Sequence, residues 1–166
     1  GHLSMRATGV TVTGWPRPLG TFGSDLPTVG FVFNGQVVRG LAGEYLTTLY
    51  GYFKDEKRYS LVLAESPDGF AWRVRTVLAG SNCPLPGQEG PCESALCRLA
   101  DGRLMCVFRL ASFTPYGQSW SSDDGRTWTP AVAMKAASVE PSLAVLPSGI
   151  VALSGGRSGI FVWLNA

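Results

Sequence analysis

The chain has 166 residues, enough for one domain with a substantial core. Hydrophobic residues make up 45% and charged ones 16%, and 21 Gly with 11 Pro suit short strands joined by tight turns rather than helices. A formal net charge of +2 is too small to point to a nucleic-acid partner, and no apolar run approaches the ~20 residues of a membrane-spanning helix. No secretory leader is visible. Gly1-His2-Leu3-Ser4-Met5 reads as an expression scar, which leaves residues 6–166 as the domain. His2, the only histidine, falls in that scar, so Ser–His or Cys–His catalysis and His-ligated zinc are set aside; no cofactor is implied.

In chain order, Gly9–Thr13 and Val29–Phe33 read as strands, with Pro16, Pro18, Gly20 and Gly23 marking a loop between them. Asn34-Gly35 is a turn signal before a short strand at Gln36–Arg39. Tyr45–Tyr50 and Tyr59–Ala64 are β-rich runs separated by the charged turn Lys54–Arg58, and Trp72–Leu78 is a further strand. No stretch reads as a helix.

Two loops share a pattern. Ser121-Ser-Asp-Asp-Gly-Arg-Thr-Trp128 has the spacing S-x-D-x-G-x-T-W, and Ser66-Pro-Asp-Gly-Phe-Ala-Trp72 is a looser copy. In each, the Ser and Asp side chains can take up backbone N–H groups of a tight turn, the Gly supplies a conformation that a Cβ resists, and the Trp restarts a strand as core. A second repeat aligns Glu93–Gly102 with Glu140–Gly149, keeping Glu, Leu, Leu and Gly in register at a spacing of 47, whereas the Ser–Asp loops repeat at 55. The excess falls in Asn82–Cys92, which reads as an insertion. Four strands per ~45 residues with one turn signature each mark a β-propeller blade, so the expected fold is all-β, about three four-stranded antiparallel blades of a partial propeller.

Taking Asp101-Gly102 as a two-residue turn sets Leu99 opposite Leu104 and Cys97 opposite Cys106, either as a cross-strand disulfide or as two buried thiols. Cys83 and Cys92 flank the insertion and form a second candidate bridge. Four cysteines so placed favour an extracellular or periplasmic compartment. Glu93 and Arg109 come together at the open end of this hairpin, and in the next unit Glu140 is set opposite Arg157 around Ser148-Gly149. Such pairs serve either as ion pairs between neighbouring strands or as arginines presented to a carboxylate.

The Ser–Asp loops are Asp boxes. Together with Glu93…Gly102…Arg109, Val107-Phe-Arg109 and Gly155-Gly-Arg-Ser-Gly159, they resemble the sialidase (neuraminidase) superfamily of six-bladed propellers, and within it the bacterial group with Asp-box (BNR) repeats. The likeness covers about residues 44–166. It implies three arginines on the sialic-acid carboxylate, a Tyr nucleophile assisted by a Glu, and an Asp as acid/base. On it Glu93 takes the place of the assisting Glu, Arg109 that of the second arginine and Arg157 that of the third, with Glu140 beside Arg157. The Phe/Tyr-Arg-Ile-Pro motif of the first arginine is absent, no Asp matches the acid, Tyr50 and Tyr116 do not match the nucleophile, and that Tyr is expected after residue 166. Asp68 and Asp123 are read as turn residues. The resemblance therefore implies a sialidase-like glycoside hydrolase, exo-acting on sialic acid or a related acidic sugar in the parent protein, and incomplete and inactive as this chain. The alternative is a non-catalytic carbohydrate-binding or scaffold propeller. Further blades, or a second copy pairing as a homodimer, would close the ring. On this reading Arg109→Ala abolishes binding of a sialic-acid analogue and leaves the melting temperature nearly unchanged.

Overall fold

A computed structural model describes residues 3–5, 21–157 and 159–165. Within them the chain is all β and has no helix. Its strands are β1 (Leu3–Met5), β2 (Thr21–Gly23), β3 (Thr28–Phe33), β4 (Val38–Arg39), β5 (Tyr45–Phe53), β6 (Ser60–Ser66) and β7 (Ala71–Ala79). There follow β8 (Ser94–Arg98), β9 (Leu104–Phe108), β10 (Gly117–Ser121), β11 (Val132–Ala133), β12 (Ser142–Val145), β13 (Val151–Gly156) and β14 (Ile160–Asn165). The strand expected at Gly9–Thr13, with Trp15, Pro16, Pro18 and Gly20, lies outside the described residues.

The strands form three sheets, one for each expected unit. In the first, β3 and then β4 run along one edge of β5, which pairs with β6 and β6 with β7, all antiparallel. That is the expected four-stranded unit with two additions, β1 on β3 and β2 on β7. The β2–β7 pair is parallel, unlike the antiparallel pairing expected throughout; the two strands are far apart in sequence, so no hairpin dictates their direction. Asn34-Gly35 makes no hairpin either, because β3 and β4 share one partner. Asn34 Oδ1 instead accepts the Ser94 N–H at 2.8 Å, which ties the first sheet to the start of β8. The Phe22 ring, on the edge strand β2, and the Phe31 ring, on β3 four strands away, lie 5.8 Å apart, so the sheet curls back toward itself. The second sheet is β8-β9-β10-β11 and the third β12-β13-β14, and β8 touches both β5 and β12.

Two-sided burial explains the apolar runs. In β6, Val62 and Ala64 point into the curled sheet with Phe22, Phe31, Leu49, Phe53 and Trp72. Leu61 and Leu63, on the opposite face, pack against Leu96, Leu104, Cys106 and Phe108 of the second sheet. The second sheet repeats this, presenting Ala95, Cys97 and Val107 to Leu143 and Leu153 of the third. Each Leu buried in this way contributes roughly 1.5–3 kcal/mol. Trp72 is buried and Trp128 packs on the same core as Leu61, as the sequence suggested.

The hairpin registers differ from expectation by one residue. Leu99 N–H donates to Arg103 O and Gly102 N–H to Leu99 O, with Gly102 at φ +88°. This is a three-residue turn closed by a left-handed glycine rather than a two-residue turn. Cys106 therefore lies opposite Leu96 and Cys97 opposite Met105. A one-residue slip reverses the face, so Cys97 and Cys106 sit in different cores. All four cysteines are free thiols, and neither expected bridge is formed. Gly149, at φ +86°, closes the β12–β13 turn in the same way.

Both Ser–Asp loops have the hydrogen bonds read from their sequences. Ser66 Oγ accepts the Gly69 N–H at 2.8 Å, and Asp68 accepts Phe70 and Ala71 N–H at 2.8 and 2.9 Å. Ser121 Oγ accepts Gly125 N–H at 2.7 Å, and Asp123 accepts Thr127 through its N–H and its hydroxyl. In each loop the Trp indole N–H donates to the Gly carbonyl. These bonds to the ionised form hold both Asp68 and Asp123 below the usual carboxylate pKa. The second loop also carries a tie between sheets. Asp124, at φ +61°, is buried and accepts Arg98 Nη2, Arg75 Nη1 and the Leu41 N–H.

Candidate functional site

The expected Glu93–Arg109 pair is present. Arg109 N–H donates to Glu93 O as β9 ends, and its Nη1 meets Glu93 Oε1 at 2.5 Å. Arg109 is 7% exposed. Its Nη2 meets both oxygens of Glu89, at 2.6 and 2.8 Å, and Ser112 Oγ at 3.4 Å. The second oxygen of Glu93 accepts the Glu140 N–H at 2.9 Å, so one carboxylate joins the end of the second sheet to the start of the third. Burial opposes the Arg109 charge, but Cys92, Glu93 and Glu89 more than offset it and its pKa stands above the usual arginine value. Burial pushes the neighbouring Cys92 thiol up to about 12.

The expected Glu140–Arg157 pair is not formed. Ser142 faces Ser154 and Gly156 N–H donates to Val139 O, so the three-residue turn brings Gly156, not Arg157, opposite Glu140. Glu140 is exposed, at φ +48°, and its carboxylate makes no ion pair with a described residue. Arg157 nevertheless reaches the same cluster. Its Nη1 donates to Ser112 Oγ at 2.6 Å, so one hydroxyl links Arg157 to Arg109. A cavity of about 190 Å³ lies beside it, lined by Phe113, Ser138, Val139, Arg157 and Phe161. Tyr50 is close enough that Glu93 and Glu140, after burial and Cys92, help raise its phenol to about 12. Tyr116 is fully buried, its hydroxyl on Val139 O, as a core residue. Larger clefts, of about 730 and 650 Å³, open over Glu65, Arg73 and Arg75, and neither is lined by Glu93, Arg109, Glu140 or Arg157.

Glu89 and Ser112 are the members of the cluster that sequence reasoning missed. Glu89 belongs to the Asn82–Cys92 insertion, and Arg58 places it. Arg58 donates to the carbonyls of Ser81, Cys83, Leu85 and Gly87, at 3.0, 3.1, 3.5 and 2.8 Å. Tyr59 N–H then takes Glu89 O at 2.8 Å. A single guanidinium thus fixes a segment without regular structure of its own. Arg58→Ala is expected to cost about 2 kcal/mol. It should raise amide hydrogen exchange across 82–92 while β9 stays protected; unchanged exchange there would show that the clamp is not what orders the loop.

No protein-family model matches this sequence, and no curated protein matches it. Solved structures do. A Dyadobacter fermentans protein described as of unknown function aligns with TM-score 0.71 at 19% identity, over 93% of this chain and 46% of that one. The Hadza microbial sialidase aligns with TM-score 0.58 at 17% identity, over 81% of this chain and 28% of that one. A family 117 glycoside hydrolase from Zobellia galactanivorans aligns with TM-score 0.60 at 14% identity, over 98% and 56%. The fold is that of the sialidase-like β-propellers. The chain spans between about a quarter and somewhat over half the length of these structures.

Proposed function

We propose that this chain carries the middle of the substrate site of a sialidase-like glycoside hydrolase, with its two Ser–Asp loops as Asp boxes of the bacterial type. The observation that carries this reading is the cluster of two arginines and three glutamates between the second and third sheets. Arg109, linked through Ser112 to Arg157, lies at the ends of strands from two sheets, the arrangement in which planar carboxylates are recognised. Glu93 touches both sheets from the same place. The substrate class that fits is sialic acid or a related acidic sugar, and Arg109 and Arg157 are its carboxylate donors.

A second reading, a carbohydrate-binding propeller without catalysis, is favoured by one feature. Both oxygens of Glu93 are engaged, one by Arg109 and one by the Glu140 N–H, which leaves it poorly placed to take a proton from a tyrosine. The two readings separate in a binding and turnover experiment on the 166-residue chain and on its parent protein. Sialic acid titrated by ligand-observed NMR is expected to bind both, and a chromogenic sialoside to be hydrolysed by the parent alone. Binding without turnover in the parent would select the second reading; absence of binding in both would end the first and leave acidic sugars without support.

A further inference from the structure

Glu89 is the outermost of the three groups in the ion-pair cluster. Its side chain is 31% exposed, against 8% for Arg109 and 13% for Glu93. Its carboxylate has Arg109 Nη2 as its partner, on both oxygens, and no other among the described residues. Glu93, by contrast, is held from two sides, by Arg109 and by the Glu140 N–H. The backbone of Glu89 is fixed independently of its side chain, through Tyr59 N–H on its carbonyl, the Arg58 clamp, and Gly90 packed against Tyr59 at φ +85°. The carboxylate can therefore leave Arg109 by side-chain rotation alone, with the loop in place. When it leaves, Arg109 keeps its bond to Glu93 and is not left as a bare buried charge. The Arg109 Nε–H, buried and without a partner among the described residues, shows that the existing glutamates do not exhaust its donors.

We propose that Glu89 is an internal occupant of the carboxylate position on Arg109, and that it sets specificity by yielding only to a ligand that brings a carboxylate of its own. This rests on the reading of the cluster as an acidic-sugar site. Glu89, Glu93 and Glu140 carry three negative charges against two positive ones on Arg109 and Arg157, so an approaching anion meets a net negative cluster until Glu89 swings toward solvent. A neutral sugar offers nothing to exchange for the lost ion pair. An acidic one replaces it bond for bond, and the exposed Glu89 regains water.

The test uses two probes on the full chain, acetate and free sialic acid, followed through the Arg109 Nε–H signal by NMR. Glu89→Gln is nearly isosteric and keeps an acceptor oxygen toward Arg109, so the fold is retained. It is expected to bind both probes at least about ten-fold more tightly than the unaltered chain. Glu140→Gln removes a charge of the same sign from a residue whose carboxylate makes no contact with Arg109 and is expected to change binding by less than about three-fold. Equal acetate response in Glu89→Gln and the unaltered chain would overturn the proposal, as would an equal gain in Glu140→Gln, since general charge would then be the cause. Tighter acetate binding with no sialic-acid binding in any variant would uphold the role of Glu89 and sink the sialic-acid reading instead.

Discussion

Arg109→Ala is expected to destabilise the protein by about 3 kcal/mol, which at this size corresponds to a fall of roughly 6–12 °C in Tm, besides removing the anion binding proposed above. On the substrate-binding reading of the sequence, its loss was expected to leave the melting temperature nearly unchanged. The structure places it 7% exposed between two glutamates. Deleting the guanidinium leaves Glu93, whose side chain is 13% exposed, with a backbone N–H as its remaining partner, and frees Glu89. Breaking a buried pair from one side costs more than the pair was worth, because the abandoned charge stays buried. Glu89 is partly solvated, which holds the figure at the lower end of the range. The combined Arg109→Ala/Glu93→Gln variant should recover part of the loss, since it removes the stranded charge; thermal denaturation of the two variants measures the coupling directly. A single variant melting within about 2 °C of the parent would mean that the pair is solvated and that Arg109 is free for substrate alone.

How much of this was legible in the sequence depended on the kind of signal. Strands β5, β6 and β7 could be read because β-rich runs sit between turn signals, and because packing on both faces demands unbroken apolar stretches such as Leu61–Ala64. The Ser–Asp loops could be read down to their hydrogen bonds, since every group involved lies within a few residues. The hairpin registers could not, because Asp-Gly and Ser-Gly occur in two-residue and in three-residue turns alike, and the choice decides which face each cysteine takes. That one-residue difference removed the Cys97–Cys106 bridge and the Glu140–Arg157 pair together. Glu93 with Arg109 survived it because both lie where the hairpin opens.

Glu89 had no sequence signal at all. The insertion has no period and no strand pattern, and its path is set by Arg58, a residue that looked like part of a solvated charged turn. A half-buried guanidinium surrounded by carbonyls is recognisable only once the chain is folded. On the proposed reading, function and stability share side chains. The loop that brings the Glu89 carboxylate to Arg109 is ordered by one cation, Arg58, and that carboxylate is held by another, Arg109.

The second large effect is expected at Asp124, far from that cluster. Asp124→Ala should cost about 2–3 kcal/mol at neutral pH, because its carboxylate, 3% exposed, joins Arg98 of the second sheet to Arg75 and the Leu41 N–H of the first. The loss is limited because Arg75 keeps Glu44 and Glu65, and Arg98 keeps the carbonyls of Arg39 and Gly102. The effect should also depend on pH. Burial alone would raise the Asp124 carboxyl, but the Arg98 hydrogen bond, the Leu41 N–H and the two arginine charges outweigh it and bring its pKa below the usual aspartate value. A carboxyl with a folded pKa lower than its unfolded value of about 3.9 contributes fully above that value and loses its contribution as pH falls through the folded one. Glu44 beside Arg75 is lowered in the same way, by hydrogen bonds and the Arg75 charge working against burial. Urea denaturation of Asp124→Ala and the unaltered chain should therefore show a wide stability gap at pH 7 that narrows as the pH falls below the unfolded value of about 3.9. A gap that stays constant between those pH values would mean that the carboxylate charge contributes nothing, and that Asp124 matters only for the left-handed turn it occupies.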